Sequence, residues 1–316
     1  MTARALWCVA PNKAEIRPAG TGDGVLVQTL YSGISRGTEG LVLRGQVPKS
    51  EHDRMRGPGM EGTFDFPVKY GYCSVGRVME GALEGELVFA LFPHQTRYRL
   101  PPENLTVLPA GLPTARAVLA ANMETALNIF WDSGASAGDR IAVIGAGVVG
   151  LLTGSLLARL PGAEVTLVDI NPQRSQLAAD LGIRCVLPDA APKDCDVVIH
   201  TSATAKGLSC ALSMAGMNAT VVEASWYGTQ PVQVDLGAAF HSQRLRLISS
   251  QVGHLPADRT PRWSYARRMR KALTLLRDDD RLDMLISGET DFEDLPTQYA
   301  TILAAPDTLC HRIRYT

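Results

Sequence analysis

The chain has 316 residues and is longer than a usual single domain, so two domains are expected. Apolar residues make up 46% of it and charged residues 20%, which is typical of a folded protein and excludes a disordered one. The 31 lysines and arginines nearly cancel the 32 aspartates and glutamates, so no overall field attracts the chain to nucleic acid or to an anionic membrane, and a small-molecule substrate is expected.

The first part of the chain has an all-β pattern. Short β-like runs occur at Gly24–Leu30, Cys73–Met79 and Leu87–Leu91, and glycine, proline and charged residues separate them. From Thr114 to Trp131 the spacing of apolar residues becomes helical. We therefore predict a first domain over residues 1–113.

From Arg140 onward, apolar strands alternate with helices, which indicates parallel βαβ units and a doubly wound sheet over residues 114–264. Ile141–Ile144 is a β-branched run that leads directly into glycines at positions 145, 147 and 150. Each glycine has its own purpose in a dinucleotide-binding loop. Gly145 permits the tight turn, Gly147 lets the backbone approach a diphosphate, and Gly150 allows close packing of helix on sheet.

The helix that follows is predicted to bind phosphate through its positive N-terminal end and the free N–H groups of its first residues, Val148 and Val149. A second strand, Glu164–Val168, ends at Asp169, about twenty residues beyond the loop. An acid at this spacing accepts hydrogen bonds from the adenosine ribose and repels a 2′-phosphate, so NAD(H) is the expected cofactor. Ile170, the next residue, is predicted to contact the cofactor as well.

Three further strands are predicted at Asp196–His200, Ala219–Val222 and Leu245–Ile248. Small polar residues follow each strand, and in a doubly wound sheet the carboxyl ends of the strands form the ligand crevice. The candidates for the nicotinamide side are Ser202, Ser225, Ser250 and Gln251. Each of them is equally compatible with an ordinary turn or helix cap.

The end of the chain is less regular. A basic helix is predicted over Arg262–Arg277, mostly as a solvated face, and a last helix or strand over Ile302–Tyr315. Glu124 is expected at a helix start as a partner of the helix dipole. His94 and His241 are isolated in the sequence, and a structural role is expected for both.

The six cysteines are scattered, with no CxxC pair, which predicts neither a disulfide framework nor a structural zinc and favours a reducing compartment. The N-terminal segment has too short an apolar run for a signal peptide, and no stretch has the length of a membrane span. We therefore expect a cytoplasmic protein.

Gly33–Glu39, Lys69–Gly76 and the start of a helix at Thr125 together resemble the medium-chain dehydrogenase/reductase superfamily. The resemblance implies a GroES-like catalytic domain built from residues 1–113 and completed by 265–316, ahead of and after the Rossmann domain. It also implies that Thr125 touches the nicotinamide and that the protein is a homodimer.

The sequence departs from the zinc-dependent members of that superfamily at the positions of their metal ligands. Those positions hold Ser35, Tyr72 with Cys73, and Ala121, and one thiolate cannot hold zinc by itself. We therefore predict that no metal is bound. Among zinc-free members, Ser32–Glu39 is most similar to dehydrogenases that oxidise a hydroxyethyl group on bacteriochlorophyll precursors.

Without a Lewis acid, carbonyl chemistry needs another group to stabilise the oxyanion and to move a proton. Tyr72 is our candidate acid/base, and a wall residue is the alternative interpretation. Its phenol would need a nearby positive charge, such as Lys69, to react near neutral pH, and Lys69 could help only if Gly71 bends the chain. Ser35 and Thr38 are candidates for a hydroxyl relay, or else turn residues.

Three functions are compatible with these patterns. The first is an NAD-dependent dehydrogenase acting on a secondary alcohol or ketone, with a bulky ring compound as one option. The second is reduction of an activated C=C bond with NAD(P)H, which Asp169 disfavours. The third is a non-catalytic NAD(H)-binding protein.

Overall fold

The structure is a computed structural model that describes residues 2–316 and divides into two compact units. One unit runs to Ala121 and resumes over Met269–Thr316, and the other is Asn122–Arg268. The sequence pattern places the two boundaries between the domains at 113/114 and 264/265, which in both cases is several residues before the boundary in the structure.

The first division lies later because the chain after Pro113 packs on the first unit. The side chain of Arg116 donates two hydrogen bonds of 2.7 Å to Asp283 and one of 3.1 Å to the carbonyl of Leu276. A Cβ atom added at Gly33 would lie 3.0 Å from the carbonyl oxygen of Val118. Residues 114–121 therefore belong with the N-terminal part of the chain.

The N-terminal part of the first unit consists mainly of strands, as the sequence predicts. Its elements are β1 (Arg4–Ala10), β2 (Lys13–Pro18), β3 (Val25–Ser35), α1 (Arg36–Leu43), β4 (Glu61–Gly62), β5 (Val68–Lys69), β6 (Ser74–Val78), β7 (Leu87–Ala90), β8 (Arg97–Leu100), β9 (Thr106–Val107) and α2 (Thr114–Ala117).

The second unit is the predicted Rossmann-type domain. Its elements are α3 (Ala120–Ser133), β10 (Arg140–Ile144), α4 (Val148–Leu157), β11 (Glu164–Val168), α5 (Arg174–Asp180), β12 (Arg184–Val186), β13 (Cys195–His200), α6 (Ala205–Met214), β14 (Ala215–Glu223), β15 (Arg246–Ser249) and α7 (Tyr265–Arg277), of which α3 and α7 cross the unit boundary.

The strands of the second unit form a parallel sheet in the order β12-β11-β10-β13-β14-β15, and the order reverses between β10 and β13. Ile144 pairs with both Val168 and His200, and His200 pairs with Glu223. The last residues of four strands therefore lie in one row, and the segments that follow them share one edge. That edge is where ligands bind in doubly wound sheets.

The last elements of the chain, β16 (Ile286–Asp291), α8 (Leu295–Ala304) and β17 (Cys310–Arg314), belong to the first unit. There β17 pairs antiparallel with β3, in a sheet of order β16-β17-β3-β6-β7-β9 with β8 also paired to β3. A second sheet of this unit has the order β2-β1-β5-β4. The C-terminal segment was predicted to return to the first unit as a helix or a strand, and it forms a helix followed by a strand. Across residues 2–316, none of the helices combines the length and apolar character needed to cross a bilayer.

Candidate functional site

The three glycines after β10 lie in the three environments that a dinucleotide-binding loop requires. Gly145 has a φ of +98°, a conformation that favours glycine. A Cβ at Gly150 would lie only 1.8 Å from the carbonyl oxygen of Gly145, so α4 packs directly on the loop. A Cβ at Gly147 would meet no described atom within 4 Å. The surface at Gly147 is therefore open to a ligand.

Helix α4 begins at Val148, and Gly147 occupies its N-cap without a side chain to cap the helix. The first N–H groups of a helix have no acceptor within it and carry the positive end of the helix dipole. Val148 and Val149 supply these groups at the open side of the loop. The loop and helix together fit the diphosphate of a dinucleotide.

Asp169 lies beside this loop, as its spacing predicts. Its carboxylate accepts a 2.6 Å hydrogen bond from the amide of Ala146 and a 2.8 Å bond from the amide of Asn171. Sequence reasoning missed these bonds, which tie the acid to the glycine loop. A cavity of about 180 Å³ is lined by Asp169, Asn171, Pro172, Ser175, Cys185, Val186 and Leu187. Ile170 is 83% exposed and is free to contact a ligand.

Ser202 and Ser225 lie in a polar network at the ends of β13 and β14. The His200 ring is hydrogen-bonded to Ser202 Oγ through Nε2 at 2.6 Å and to Glu223 Oε2 through Nδ1 at 2.7 Å. Tyr227 donates to Glu223 Oε2 at 2.8 Å, and the amide of Ser225 donates to Glu223 Oε1 at 2.8 Å. Burial opposes ionisation of Glu223, but its hydrogen bonds with His200 and Ser225 outweigh burial and lower the pKa of this carboxyl.

Sequence reasoning missed His200 and Glu223. The available signal was a polar residue closing each of two otherwise apolar strands. Their pairing depends on the register of β13 with β14, which places the two residues opposite each other.

The other two candidates for the nicotinamide side, Ser250 and Gln251, form hydrogen bonds with different residues of the second unit. Ser250 donates a 2.6 Å hydrogen bond to Asp132, and the side chain of Gln251 accepts a 2.6 Å bond from the amide of Gly253. Thr125 is half-buried inside α3, which begins at Ala120 rather than at Thr125.

The expectation about Glu124 is corrected by a buried ion pair. Glu124 lies inside α3 and receives a 3.0 Å bond from Nε of Arg268, whose other nitrogens bond Asn128 at 2.5 Å and the Val252 carbonyl at 2.6 Å. The two paired side chains are only 6% and 2% exposed. Burial raises the pKa of Glu124. Glu124 is therefore no partner of a helix start, and the basic helix has one fully buried member.

In the first unit, Tyr72 follows Gly71, whose φ of +124° bends the chain as required. Burial raises the pKa of Tyr72 well above its usual value, the neighbouring Cys73 adds to the rise, and a hydrogen bond with the Ser35 side chain partly opposes it. The phenol therefore remains protonated at neutral pH. This corrects the expectation of a phenol activated by a positive charge.

Lys69 does not supply that charge. Its ammonium is hydrogen-bonded to the carboxylate of Glu61 and, at 2.8 Å, to Gln95, and it lies 5.2 Å from the ring centre of Phe92. Burial lowers the pKa of Lys69. The structure thus places Ser35 next to Tyr72. Lys69 has other partners, because it lies on β5, which pairs with β1 in a different sheet from that of β6. Thr38 is half-buried in the first turn of α1.

A second buried network in the first unit was also missed. Glu39 accepts bonds from the amide of Ser35 at 2.7 Å and from the hydroxyl of Tyr299 at 2.6 Å, and its carboxylate lies 3.0 Å from Nε2 of His94. Nδ1 of His94 is 2.8 Å from Ser32 Oγ. His94 is therefore not isolated, and Glu39 fixes the backbone of Ser35 next to Tyr72.

The residues at the expected zinc positions do not fit a zinc ion, since Ser35, Tyr72 and Ala121 are poor or impossible ligands and Cys73 cannot hold the metal alone. Over the part of the chain that the structure describes, no three His, Cys, Asp or Glu side chains come together as a metal site.

A parallel Rossmann-type sheet in one unit and a separate set of sheets in the other is the architecture of medium-chain dehydrogenases. Solved structures with this fold include a zinc-binding dehydrogenase of Sinorhizobium meliloti 1021 bound to NADP (TM-score 0.78, 19% identity, 99% of each chain covered). A short chain alcohol dehydrogenase of Escherichia coli CFT073 with NADH has a TM-score of 0.77 at 17% identity and 100% coverage of both chains. At these identities the likeness shows the fold.

The relatives found by sequence similarity are also dehydrogenases. The chain is 27% identical over 169 residues to the 2-dehydro-3-deoxy-L-galactonate 5-dehydrogenase of Pseudoalteromonas atlantica, which is 50% of this chain and 49% of that protein. The match thus spans about half the length of that relative. The family model for ketopantoate reductase PanE/ApbA matches residues 141–217, within the second unit. Over part of its length the chain is therefore similar to dehydrogenases, and its fold is that of dehydrogenases of known structure.

Proposed function

We propose that this protein is a zinc-independent, NAD(H)-dependent oxidoreductase that interconverts a secondary alcohol and a ketone. The observation that carries the proposal is the open surface at Gly147, which adjoins the uncapped start of α4 and Asp169. When bound there, the dinucleotide supplies the nicotinamide that exchanges hydride with the substrate carbon. The dehydrogenase names of the relatives agree with this class of reaction.

The choice of NAD(H) rests on Asp169. This carboxylate would repel the 2′-phosphate of NADP(H), whereas the ribose hydroxyls of NAD(H) can donate hydrogen bonds to it. One neighbour in fold binds NADP and another binds NADH, so the fold alone permits either cofactor. Fluorescence titration tests the proposal: NADH should bind at least tenfold more tightly than NADPH, and Asp169→Asn should narrow that ratio. Equal affinities in the unaltered protein would refute the choice of cofactor.

Tyr72 is proposed as the group that donates a hydrogen bond to the reacting oxygen. Its protonated phenol suits this role, because a donor stabilises the negative charge that develops on a carbonyl oxygen as hydride arrives. Ser35 orients the phenol, and Glu39 holds the backbone of Ser35. Tyr72→Phe should lower kcat for ketone reduction about 100-fold with NADH affinity unchanged. Full turnover by Tyr72→Phe, or stoichiometric zinc in protein purified without chelator, would refute this mechanism.

A bulky ring compound is the substrate class we favour, and the support for it is the Ser32–Glu39 stretch. A panel of cyclic and acyclic secondary alcohols and ketones tests this choice. NADH binding without turnover on the whole panel and on enones would instead favour a non-catalytic role.

We also propose a homodimer formed along the edge of the Rossmann-type sheet. Strand β15 is the last strand of that sheet, and Leu247 on it and Met217 on β14 are 37% and 61% exposed. Unpaired strand edges with apolar side chains readily pair with a second copy. Sedimentation at micromolar concentration should show a dimer that Leu247→Lys dissociates.

A further inference from the structure

Ser202, His200 and Glu223 form a continuous hydrogen-bonded chain at the carboxyl ends of β13 and β14. We propose that this chain is a proton relay, in which Ser202 takes a proton from the hydroxyl group of a ligand bound in the crevice of the second unit. The inference rests on the proposed function, because that function supplies the alcohol to be deprotonated.

The place of Ser202 is set by the glycine loop. A Cβ at Gly145 would lie 3.0 Å from both the amide nitrogen and the Cα of Ser202, and the Thr201 hydroxyl donates 3.0 Å bonds to the carbonyls of Ile144 and Gly145. Ser202 is therefore next to the loop, at the point where the strand order reverses. Ligands of doubly wound sheets bind at this point.

The direction of the hydrogen bonds follows from the carboxylate. An ionised Glu223 can only accept, so Nδ1 of His200 carries the proton that bonds it. Nε2 then has a free lone pair, and the hydroxyl of Ser202 donates its proton to it. The oxygen of Ser202 is left as an acceptor, with Thr204 Oγ1 3.0 Å away as one neighbour. The O–H group of a ligand can donate the remaining hydrogen bond to this oxygen.

His200 reaches a ligand only through Ser202. Its side chain is 0% exposed, and a Cβ at Gly207 of α6 would lie 2.5 Å from Nε2 and 2.3 Å from Ser202 Oγ. The helix therefore packs against both groups, but the ring is fully covered whereas Ser202 is only half-buried. In a hydrolase the imidazole must protonate the leaving group, and a covered imidazole cannot do so. This disfavours Ser202 as a nucleophile and favours a role in proton transfer.

The proposed function needs such an acceptor. Oxidation of an alcohol releases one proton, and Tyr72 is held protonated by its buried environment, so it cannot take it. An imidazole backed by a carboxylate can serve as such a proton acceptor. The titratable groups that face His200 are Glu223 and Tyr227, both hydrogen-bonded into the same cluster.

The transfer is balanced within the relay. The ligand O–H proton moves to Ser202 Oγ while the Ser202 proton moves to Nε2 of His200, and the electron pair of the broken bond stays on the ligand oxygen. His200 becomes an imidazolium whose charge Glu223 compensates. No electrons are exchanged in this step. When bound, the oxidised nicotinamide of the proposed function would accept the hydride from the substrate carbon.

The tautomer of His200 is the first test and needs no activity. Nitrogen-15 spectra of histidine-labelled protein, assigned with His200→Gln, should show a proton on Nδ1 and none on Nε2 at pH 8. The opposite tautomer overturns the relay, because Ser202 could then not donate to the ring. This result stands whether or not NADH binds, so it separates failure of the relay from failure of the proposed function.

The pH profile of alcohol oxidation is the second test. Ser202→Ala and His200→Gln should each lower kcat about 100-fold and abolish the loss of rate at low pH in protein that remains folded. The matched controls are Ser213→Ala and His241→Gln, whose exposed side chains lie outside the cluster and should retain the profile. An unchanged rate and profile in Ser202→Ala overturns the proposal, as does labelling of Ser202 by a fluorophosphonate.

The ligand hydroxyl is either that of the substrate or one of the dinucleotide ribose. If NAD binding without alcohol already shows the pH dependence that His200→Gln removes, the ribose hydroxyl is the donor. If the dependence is confined to turnover, the substrate hydroxyl is the donor. Both outcomes support the relay, and a dependence that His200→Gln leaves in place overturns it.

Discussion

The carboxylate of Glu39 lies 3.0 Å from Nε2 of His94, and neither side chain has any exposed surface. The same carboxylate also accepts from the Ser35 amide and the Tyr299 hydroxyl. One carboxylate of α1 therefore contacts three buried polar groups, which come from the end of β3, the segment before β8, and α8.

Removing this carboxylate should destabilise the first unit strongly. We expect Glu39→Ala to lower the free energy of unfolding by about 3–5 kcal/mol, because the loss of one partner leaves buried polar groups without a bond. Glu39→Gln should cost less, since an amide oxygen still accepts. Urea denaturation measures both, and the exposed Glu103→Ala is the control, with a change within about 0.5 kcal/mol. A cost below about 1 kcal/mol for Glu39→Ala would contradict the network.

The glycine loop offers a matched pair of variants. Gly147→Ala should fold normally yet weaken NADH binding at least tenfold, because its Cβ meets no described atom within 4 Å but occupies the approach to the diphosphate. Gly150→Ala should destabilise the second unit, since its Cβ would lie 1.8 Å from a backbone oxygen. Thermal unfolding and fluorescence titration separate the two effects. Normal NADH affinity in Gly147→Ala would place the diphosphate elsewhere.

The buried Arg268 provides a prediction about α7. Arg268→Ala should cost about 3–5 kcal/mol, because it leaves Glu124 buried without its partner. Arg270→Ala, on the exposed side of the same helix, should change stability by less than about 0.5 kcal/mol. The double variant Glu124→Ala/Arg268→Ala should recover part of the loss. Equal effects of the two arginine variants would show that the ion pair contributes little.

The stability of the second unit should depend on pH through Glu223. Its pKa is lower in the folded protein than in the unfolded chain, so its contribution is present above about pH 4.3 and is lost as pH falls through the folded pKa. Glu223→Gln should therefore lower the free energy of unfolding by about 2 kcal/mol at pH 7, and the gap should narrow at pH 3.5. Denaturation at the two pH values measures this. A gap that stays constant would mean that ionisation of Glu223 adds no stability.

Several features of the second unit were predictable from sequence. The spacing of Gly145, Gly147 and Gly150 after an apolar run predicts the loop, and the strand that ends at Val168 places Asp169 beside it. These relations are local, since a strand, a tight turn and a helix allow few arrangements over so short a distance. The boundary of the first unit was less predictable, because it depends on the packing of Val118 against Gly33.

The sequence by itself determined five of the six strands of the second unit, the dinucleotide loop and the acid beside it, because periodicity and glycine positions constrain the backbone locally. Only the tertiary structure decided which polar side chains meet: Glu39 with His94, His200 with Glu223, and Glu124 with Arg268. These partners lie between 23 and 144 residues apart in the chain. Strand register and helix packing bring them together, and side-chain pairing at such separations leaves no periodic pattern in the sequence.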